Sequence, residues 1–376
     1  MAALTQPFYE DWANLPDLVL IQVFSYLSVV ERCRVGATCK HWLQCLEMPK
    51  FWTTFKCVFR LPADTLHIKY IKKFGCFISK LTIYIDHTQG NNIYMAIAAL
   101  KHLSNLKNLQ LSYLSIIFKD KSPLCYGGDD FKLALQRLFT KIGEKKCTLK
   151  HLNLPCLAVK FKDKLIDDIS STCPNLEYLN ISRNSFMFSF SPRRMKILAL
   201  KCREIQVLHL YYDSLSNDVL KALSKAGRKP LQRLGIVCYR SSLHDLSSEA
   251  WSSFLTANPD LKVVLKFEHG CPPHRISKIM KPELPVQELH LTMFNPQISQ
   301  VINKAVVYYE QMLEKLVVSS NPSRELQESL LDAVLECKKL KALYVHCDLD
   351  KDVIDRILEL CPQIRDTRNC ILKWKK

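Results

Sequence analysis

The sequence predicts an α/β protein: a small helical module at the N-terminus, then a solenoid with parallel strands on its concave face and helices on its convex face. Two observations predict it. The pattern apolar-x-x-Leu-x-apolar recurs from about residue 78 to the C-terminus, and the segment ahead of it holds a helix that is apolar all round. A chain of 376 residues with 48% hydrophobic residues has ample material for one long core. Nine glycines and no low-complexity window predict order nearly throughout.

The helical module comes first. Asn14-Leu15-Pro16-Asp17 supplies a capping residue and a proline ahead of an apolar run, so a helix should start here. The run Leu18 to Leu27 has eight apolar residues in ten. Such a helix should be covered on all sides, yet residues 1–60 are too few to enclose it, so part of it must dock on something else. Ser28-Val29-Val30-Glu31 reads as a capping box opening a second helix through Val35, Ala37, Cys39 and Trp42.

These residues resemble an F-box: Leu15-Pro16-Asp17-Leu18, then Ile21, Val23-Phe24 and Leu27, then Cys39-Lys40-His41-Trp42 and Phe51-Trp52. The resemblance implies binding to a Skp-family adaptor, and through it to a cullin scaffold and RING subunit. It makes Leu15, Pro16, Leu18, Ile21, Phe24, Leu27, Val35, Cys39 and Trp42 the candidate adaptor contacts, with Phe24 and Trp42 as aromatic anchors.

The repeats fill residues 61–376. Their first apolar positions fall at Ile78, Leu106, Leu149, Leu176, Ile205, Leu231, Leu261, Val286, Leu313, Leu340 and Ile364, eleven in all. The spacings run from 24 to 30, with one exception of 43 between Leu106 and Leu149. That matches leucine-rich repeats of about 20 to 29 residues, one strand and one helix each. The long gap predicts a loop insertion near 118–131, where Pro123, Gly127 and Gly128 break periodicity. The copies at Leu261 and Ile364 are degenerate.

Cysteine precedes several copies by three residues, at Cys173, Cys202, Cys337 and Cys361. One cysteine per repeat lacks the close pairs of a zinc site, so these are read as small buried plugs at helix ends. The sixteen cysteines therefore read as reduced thiols. This repeat class, the irregular copies and Tyr70-Ile71-Lys72-Lys73-Phe74-Gly75 are similar to animal F-box proteins with degenerate leucine-rich repeats. That group includes cryptochrome-binding members, but no residue here licenses that substrate.

Strand alternation places the residues between the buried leucines on the concave face. These are Asn108, Gln110, His151, Asn153, Tyr178, Asn180, His209, Tyr211, Arg233, Glu288, His290, Lys315, Tyr344 and His346. His151, Tyr178, His209, Tyr211, Arg233, His290, Tyr344 and His346 are the candidate target contacts. Trp374 joins them, because the tail of some similar proteins reaches into the substrate; its other reading is a cap on the last repeat.

Residues 1–60 hold 6 Lys and Arg against 5 Asp and Glu, leaving 47 against 31 in the rest. A basic repeat region favours an acidic partner. The concave list is mostly polar and aromatic, which places the excess charge mainly on the convex helices and loop edges and argues against a nucleic acid lying along the groove. No phosphate-cradling loop, nucleophile motif or metal-ligand spacing is present; His269-Gly270-Cys271-Pro272-Pro273-His274 is broken by its prolines. The expectation is a non-catalytic protein without cofactor or metal. Neither a signal sequence nor a membrane span is legible, so cytoplasm or nucleus is expected. The resemblance implies a substrate receptor of a Skp–cullin–F-box ubiquitin ligase; the alternative is a non-degradative F-box scaffold.

Overall fold

The computed structural model describes residues 12, 15–88, 91–119, 127–145, 148–155, 163–182, 190–239, 244–268, 270–292, 297–364 and 370–374. Three short helices open it: α1 (Asp17–Ser25), α2 (Val29–Val35) and α3 (Lys40–Leu46). Strands and helices then alternate: β1 (Thr54–Phe59), α4 (Leu66–Phe74), β2 (Lys80–Ile85), α5 (Asn92–Ser104), β3 (Tyr113–Phe118), α6 (Gly128–Glu144), β4 (His151–Asn153), α7 (Lys164–Thr172), β5 (Tyr178–Asn180), α8 (Pro192–Lys201), β6 (Val207–Tyr211) and α9 (Asn217–Leu223). The series continues with β7 (Arg233–Cys238), α10 (Ser248–Ala257), β8 (Lys262–Phe267), α11 (Pro273–Ile279), β9 (Val286–Thr292), α12 (Ile298–Tyr309), β10 (Lys315–Ser319), α13 (Arg324–Glu336), β11 (Ala342–Leu349), α14 (Lys351–Leu360) and β12 (Cys370–Trp374).

The twelve strands form one sheet in sequence order, and every neighbouring pair is parallel. This is the predicted solenoid. Its register stacks one apolar column through the turns: Leu81, Leu114, Leu152, Leu179, Leu208, Leu234 and Val263 lie side by side. All are essentially inaccessible. Each carries the transfer free energy of a fully buried side chain, about 1.5 to 3 kcal/mol.

The cysteines do what their position implies. Cys173, Cys202, Cys337 and Cys361 are the C-cap residues of α7, α8, α13 and α14, and all four are buried. The Cys202 thiol donates to the Cys173 carbonyl at 3.4 Å, and burial pushes its pKa up to about 12. At the equivalent end of α10 stands Asn258, whose amide donates to the Phe254 carbonyl at 2.7 Å and accepts from the Leu231 N–H at 2.5 Å.

Several boundaries differ from expectation. The sheet begins at Thr54, ahead of the residue-60 boundary, because Phe55, Cys57 and Phe59 fill the core positions that a leucine search skips. The third strand lies at Tyr113–Phe118: Leu106-x-x-Leu109-x-Leu111 mimics the repeat, but Leu111-x-x-Leu114-x-Ile116 supplies the strand. Phe118 then ends β3 and Gly128 begins α6, a helix of 17 residues that absorbs part of the extra length; residues 120–126 lie outside the described residues. The single helix expected from Val29 through Trp42 is two, since α2 ends at Gly36 and Cys39 caps α3 by accepting the Trp42 N–H on its sulfur. The N-cap of α1 is Pro16, without a side-chain bond, and Asn14 lies outside the described residues. Ser28 and Glu31 do form the capping box.

Module and solenoid are joined by aromatic packing. Trp52 is buried, stacks on Phe74 at 4.1 Å and on Tyr70 at 5.3 Å, and donates its indole N–H to the Leu46 carbonyl at 2.6 Å. Arg32 donates to the carbonyls of Phe24 and Phe51 and lies over the Phe51 ring. One hydrophobic cluster therefore runs from Leu20 to Ile364. Trp52→Ala removes the largest side chain of this joint and should lower stability by about 3 to 5 kcal/mol, read as a fall in the chemical-denaturation midpoint.

Candidate functional sites on the helical module and the concave face

Helix α1 turns Leu20, Ile21 and Phe24 inward, at i, i+1 and i+4, where Phe24 meets Trp42 edge-on at 5.5 Å. Its other apolar side chains face solvent: Leu18 is 81% exposed and Tyr26, at the C-cap, 79%, with Val19 and Val23 between them. The surplus inferred from composition is thus a definite surface, continued by Val30. Of the candidate adaptor contacts, Pro16 and Leu18 are exposed, and Leu15, Leu27, Val35, Cys39 and Trp42 are half-buried. Ile21 and Phe24 are buried inside the module, so Phe24 serves its core rather than offering an anchor. Val19, Val23 and Tyr26, outside that set, supply exposed apolar surface; helical periodicity with Ile21 and Phe24 inward would have marked Val19 and Val23.

Beside this face, Asp17 accepts a hydrogen bond from His41 at 2.7 Å and one from the Cys45 thiol at 3.6 Å, tying α1 to α3. The His41 bond lowers the Asp17 pKa, while burial and that carboxylate raise the pKa of Cys45. The three sit 24 and 28 residues apart in sequence, a spacing no motif announces.

On the concave face the register aligns Tyr113, His151 and Tyr178, and His209, in register with Asn180, leans against the end of this row. Tyr113 and His151 stack at 4.1 Å, His151 and Tyr178 at 3.9 Å, and Tyr178 tilts against His209 at 5.9 Å. Two residues along each strand, on the same face, runs an amide ladder: Asn180 donates to Asn153 and Asn153 to Ser115, each at 2.9 Å, while the Ser182 hydroxyl donates to Asn180 at 2.8 Å. Burial pulls the pKa of both His151 and His209 down to about 4, and Lys266 and Arg233 press further on His209. Both imidazoles are neutral at physiological pH.

His209 reaches over the next strand because its neighbour there is Gly235: a Cβ at Gly235 would lie 1.9 Å from His209 Nδ1. Beyond it, Arg233 spans strand β8 to pair with Glu288 at 2.5 Å, and Val264, the β8 residue in register with Glu288, is buried. His290 approaches the same carboxylate at 3.5 Å, and with Arg233 it holds the Glu288 pKa down to about 2. Lys315 lies over the Tyr344 ring at 5.0 Å.

The structure puts His151, Tyr178, His209, Arg233, His290 and Tyr344 on this face, half-buried, and His346 there exposed. Tyr211 is there too but is only 3% exposed, packed on Val237 and Tyr239. Asn108 and Gln110 belong instead to the connection before β3, and Tyr113 and Ser115 take the positions expected for them. Trp374 ends β12, in register with Leu349; its side chain lies outside the described residues, as does His269 of the His–Cys–His segment. Lys262 and Lys266 were missed because β8 has slipped by one residue relative to the leucine pattern, which exchanges the two faces. Lys262 and Lys266 therefore add two cations to a face that the repeat pattern describes as polar and aromatic.

A three-helix module leading into a solenoid of parallel strands and helices is the architecture of an F-box followed by leucine-rich repeats. Residues 12–57 match the family model named F-box-like. Human F-box/LRR-repeat protein 8 is 24% identical over 359 residues, covering 95% of this chain and 94% of that protein. Mouse F-box/LRR-repeat protein 21 is 24% identical over 369 residues, covering 93% and 80%. The solved structure titled "Crystal structure of Rad7 and Elc1 complex in yeast" matches with TM-score 0.44 and 15% identity, over 96% of this chain and 90% of that one. The chain carries an F-box-like domain followed by a leucine-rich-repeat domain. No described helix is long and apolar enough to cross a membrane.

Two measurements check the concave geometry. Gly235→Ala should displace His209 and destabilise the fold, while combining it with His209→Ala should restore most of the loss in a double-mutant cycle. Because His151 and His209 titrate near pH 4 when folded and near 6.5 as free side chains, the unfolded chain binds more protons between these values. Stability should therefore fall as pH drops from about 6.5 towards 4, and His151→Gln with His209→Gln should flatten that slope in urea titrations.

Proposed function

We propose that this chain is the substrate-recognition subunit of a Skp–cullin–F-box ubiquitin ligase. The helical module docks a Skp-family adaptor, the repeats hold a target protein, and ubiquitin transfer is carried out by the partner subunits. The observation that carries this reading is the exposed apolar face of α1 and its C-cap, Leu18, Val19, Val23 and Tyr26, inside a segment that matches an F-box-like domain. Exposed apolar side chains clustered on one short helix mark a protein contact. Fully buried there, the four would contribute several kcal/mol of association free energy.

The target-binding half rests on the concave face, where Tyr178, His151 and His209 present aromatic surface held in place by stacking. Rigid aromatic surface suits recognition because little side-chain freedom remains to be lost on binding. In this reading the repeats supply position and orientation to a reaction catalysed elsewhere.

Leu18→Arg with Val23→Arg should abolish co-precipitation of a Skp-family adaptor and leave thermal stability unchanged, since both side chains are solvent-facing; adaptor binding that persists would refute the docking assignment. Proximity labelling with and without proteasome inhibition tests the receptor half. Partners that accumulate under inhibition support it, and partners whose levels do not respond favour a scaffold.

A further inference from the structure

Among the described residues, three metal-ligating side chains bring their donor atoms within 4.8 Å of one another at one place only: Asp17, His41 and Cys45. Two helices build this cluster. Asp17 opens α1, while His41 and Cys45 stand at i and i+4 on α3, neighbours on one helical face. Both α3 side chains meet the same carboxylate oxygen: His41 Nε2 lies 2.7 Å and Cys45 Sγ 3.6 Å from Asp17 Oδ1. The three donors therefore surround a common point. The side chains of Asp17 and His41 are 70% and 36% exposed, so an ion can enter, while Cys45, 5% exposed, closes the inner side.

We infer that Asp17 Oδ1, His41 Nε2 and Cys45 Sγ bind one Zn²⁺ ion, with solvent in the fourth position. The inference stands independently of the proposed ligase role. The donor set selects the metal: thiolate and imidazole are poor ligands for Mg²⁺ and Ca²⁺, a carboxylate is a poor one for Cu⁺, and Zn²⁺ accepts all three. The distances suit a tetrahedral ion, whose bonds of about 2.0 to 2.3 Å put neighbouring donors roughly 3.3 to 3.6 Å apart. Cys45 and Asp17 already stand at 3.6 Å. His41 and Asp17, at 2.7 Å, have to open by roughly 0.6 Å, which rotation of the solvent-facing Asp17 side chain supplies. Charge balances as well. The carboxylate and the thiolate neutralise the ion, the thiol proton passes to solvent, and the imidazole binds through Nε2 with its hydrogen on Nδ1. The hydrogen-bonded triad is then the metal-free form of the site, and the bound ion fastens the first turn of α1 to α3 next to the exposed Leu18.

The reduced, metal-stripped full chain is titrated with Co²⁺ and then with Zn²⁺, followed by absorbance and by thermal unfolding. The expected result is the visible ligand-field spectrum of tetrahedral Co²⁺ together with a near-ultraviolet thiolate charge-transfer band, both erased by Zn²⁺. Cys45→Ser should remove the charge-transfer band, Asp17→Asn should weaken binding by about tenfold or more, and Cys76→Ser, a half-buried thiol outside the cluster, should change neither. Zn²⁺ should also raise the unfolding temperature of the wild type and of Cys76→Ser more than that of Asp17→Asn, the variant whose exposed position leaves the fold intact. Absence of the charge-transfer band, its survival in Cys45→Ser, or equal stabilisation of wild type and Asp17→Asn by Zn²⁺ overturns the inference. The three side chains are in that case a hydrogen-bonded tie between two helices and nothing more.

Discussion

No turn of this solenoid can cover its own apolar residues, and the rest of the structure follows from that. The column through Leu81, Leu114, Leu152, Leu179, Leu208 and Leu234 is buried only because each strand lies in register between two others. Short elements suffice on those terms. β4 and β5 have three residues each, far too few to persist alone, yet both sit at the centre of a continuous sheet. Register also decides what stands on the opposite face, since residues adjacent in the column bring their neighbours together on the inner surface.

That inner surface changes character at Gly235. Over β3 to β5, on its N-terminal side, the register aligns rings with rings and amides with amides, so this stretch satisfies itself by stacking and hydrogen bonding; the depressed histidine pKa values are the electrostatic expression of that dryness. On the C-terminal side the one-residue slip of β8 turns two lysines inward, and Arg233 bridges over Val264 to the matching carboxylate. Gly235 is the seam, as only a residue without a side chain admits the His209 ring between the two halves.

The architecture was legible because leucine periodicity and an all-round apolar helix are consequences of burial, and burial dominates the fold. The cysteines at helix ends were legible for the same reason. What escaped was local. β1 uses phenylalanine where the search looked for leucine, and the Leu106 segment repeats the pattern five residues before the strand that uses it. Membership of the inner face was legible wherever the repeat was regular, as at His151, Tyr178 and His209. It failed at β8, where a shift of one residue inverts a strand without altering its composition. Whether an apolar residue on α1 faces core or solvent was not legible at all, because every face of that helix is apolar and only packing against Trp42 selects Ile21 and Phe24.

The stacking of Trp52 between the end of α3 and the face of α4 has a mechanical meaning. A flexible tether would let the two ends of the molecule sample many mutual orientations, and a bound protein would sweep out a volume. Here the module and the first turns are one packed solid, so the molecule behaves as a lever arm whose angle is set when the chain folds. Adding or deleting a turn between Trp52 and the inner face would swing its far end by a fixed step, which makes repeat number a geometric variable as well as a measure of size.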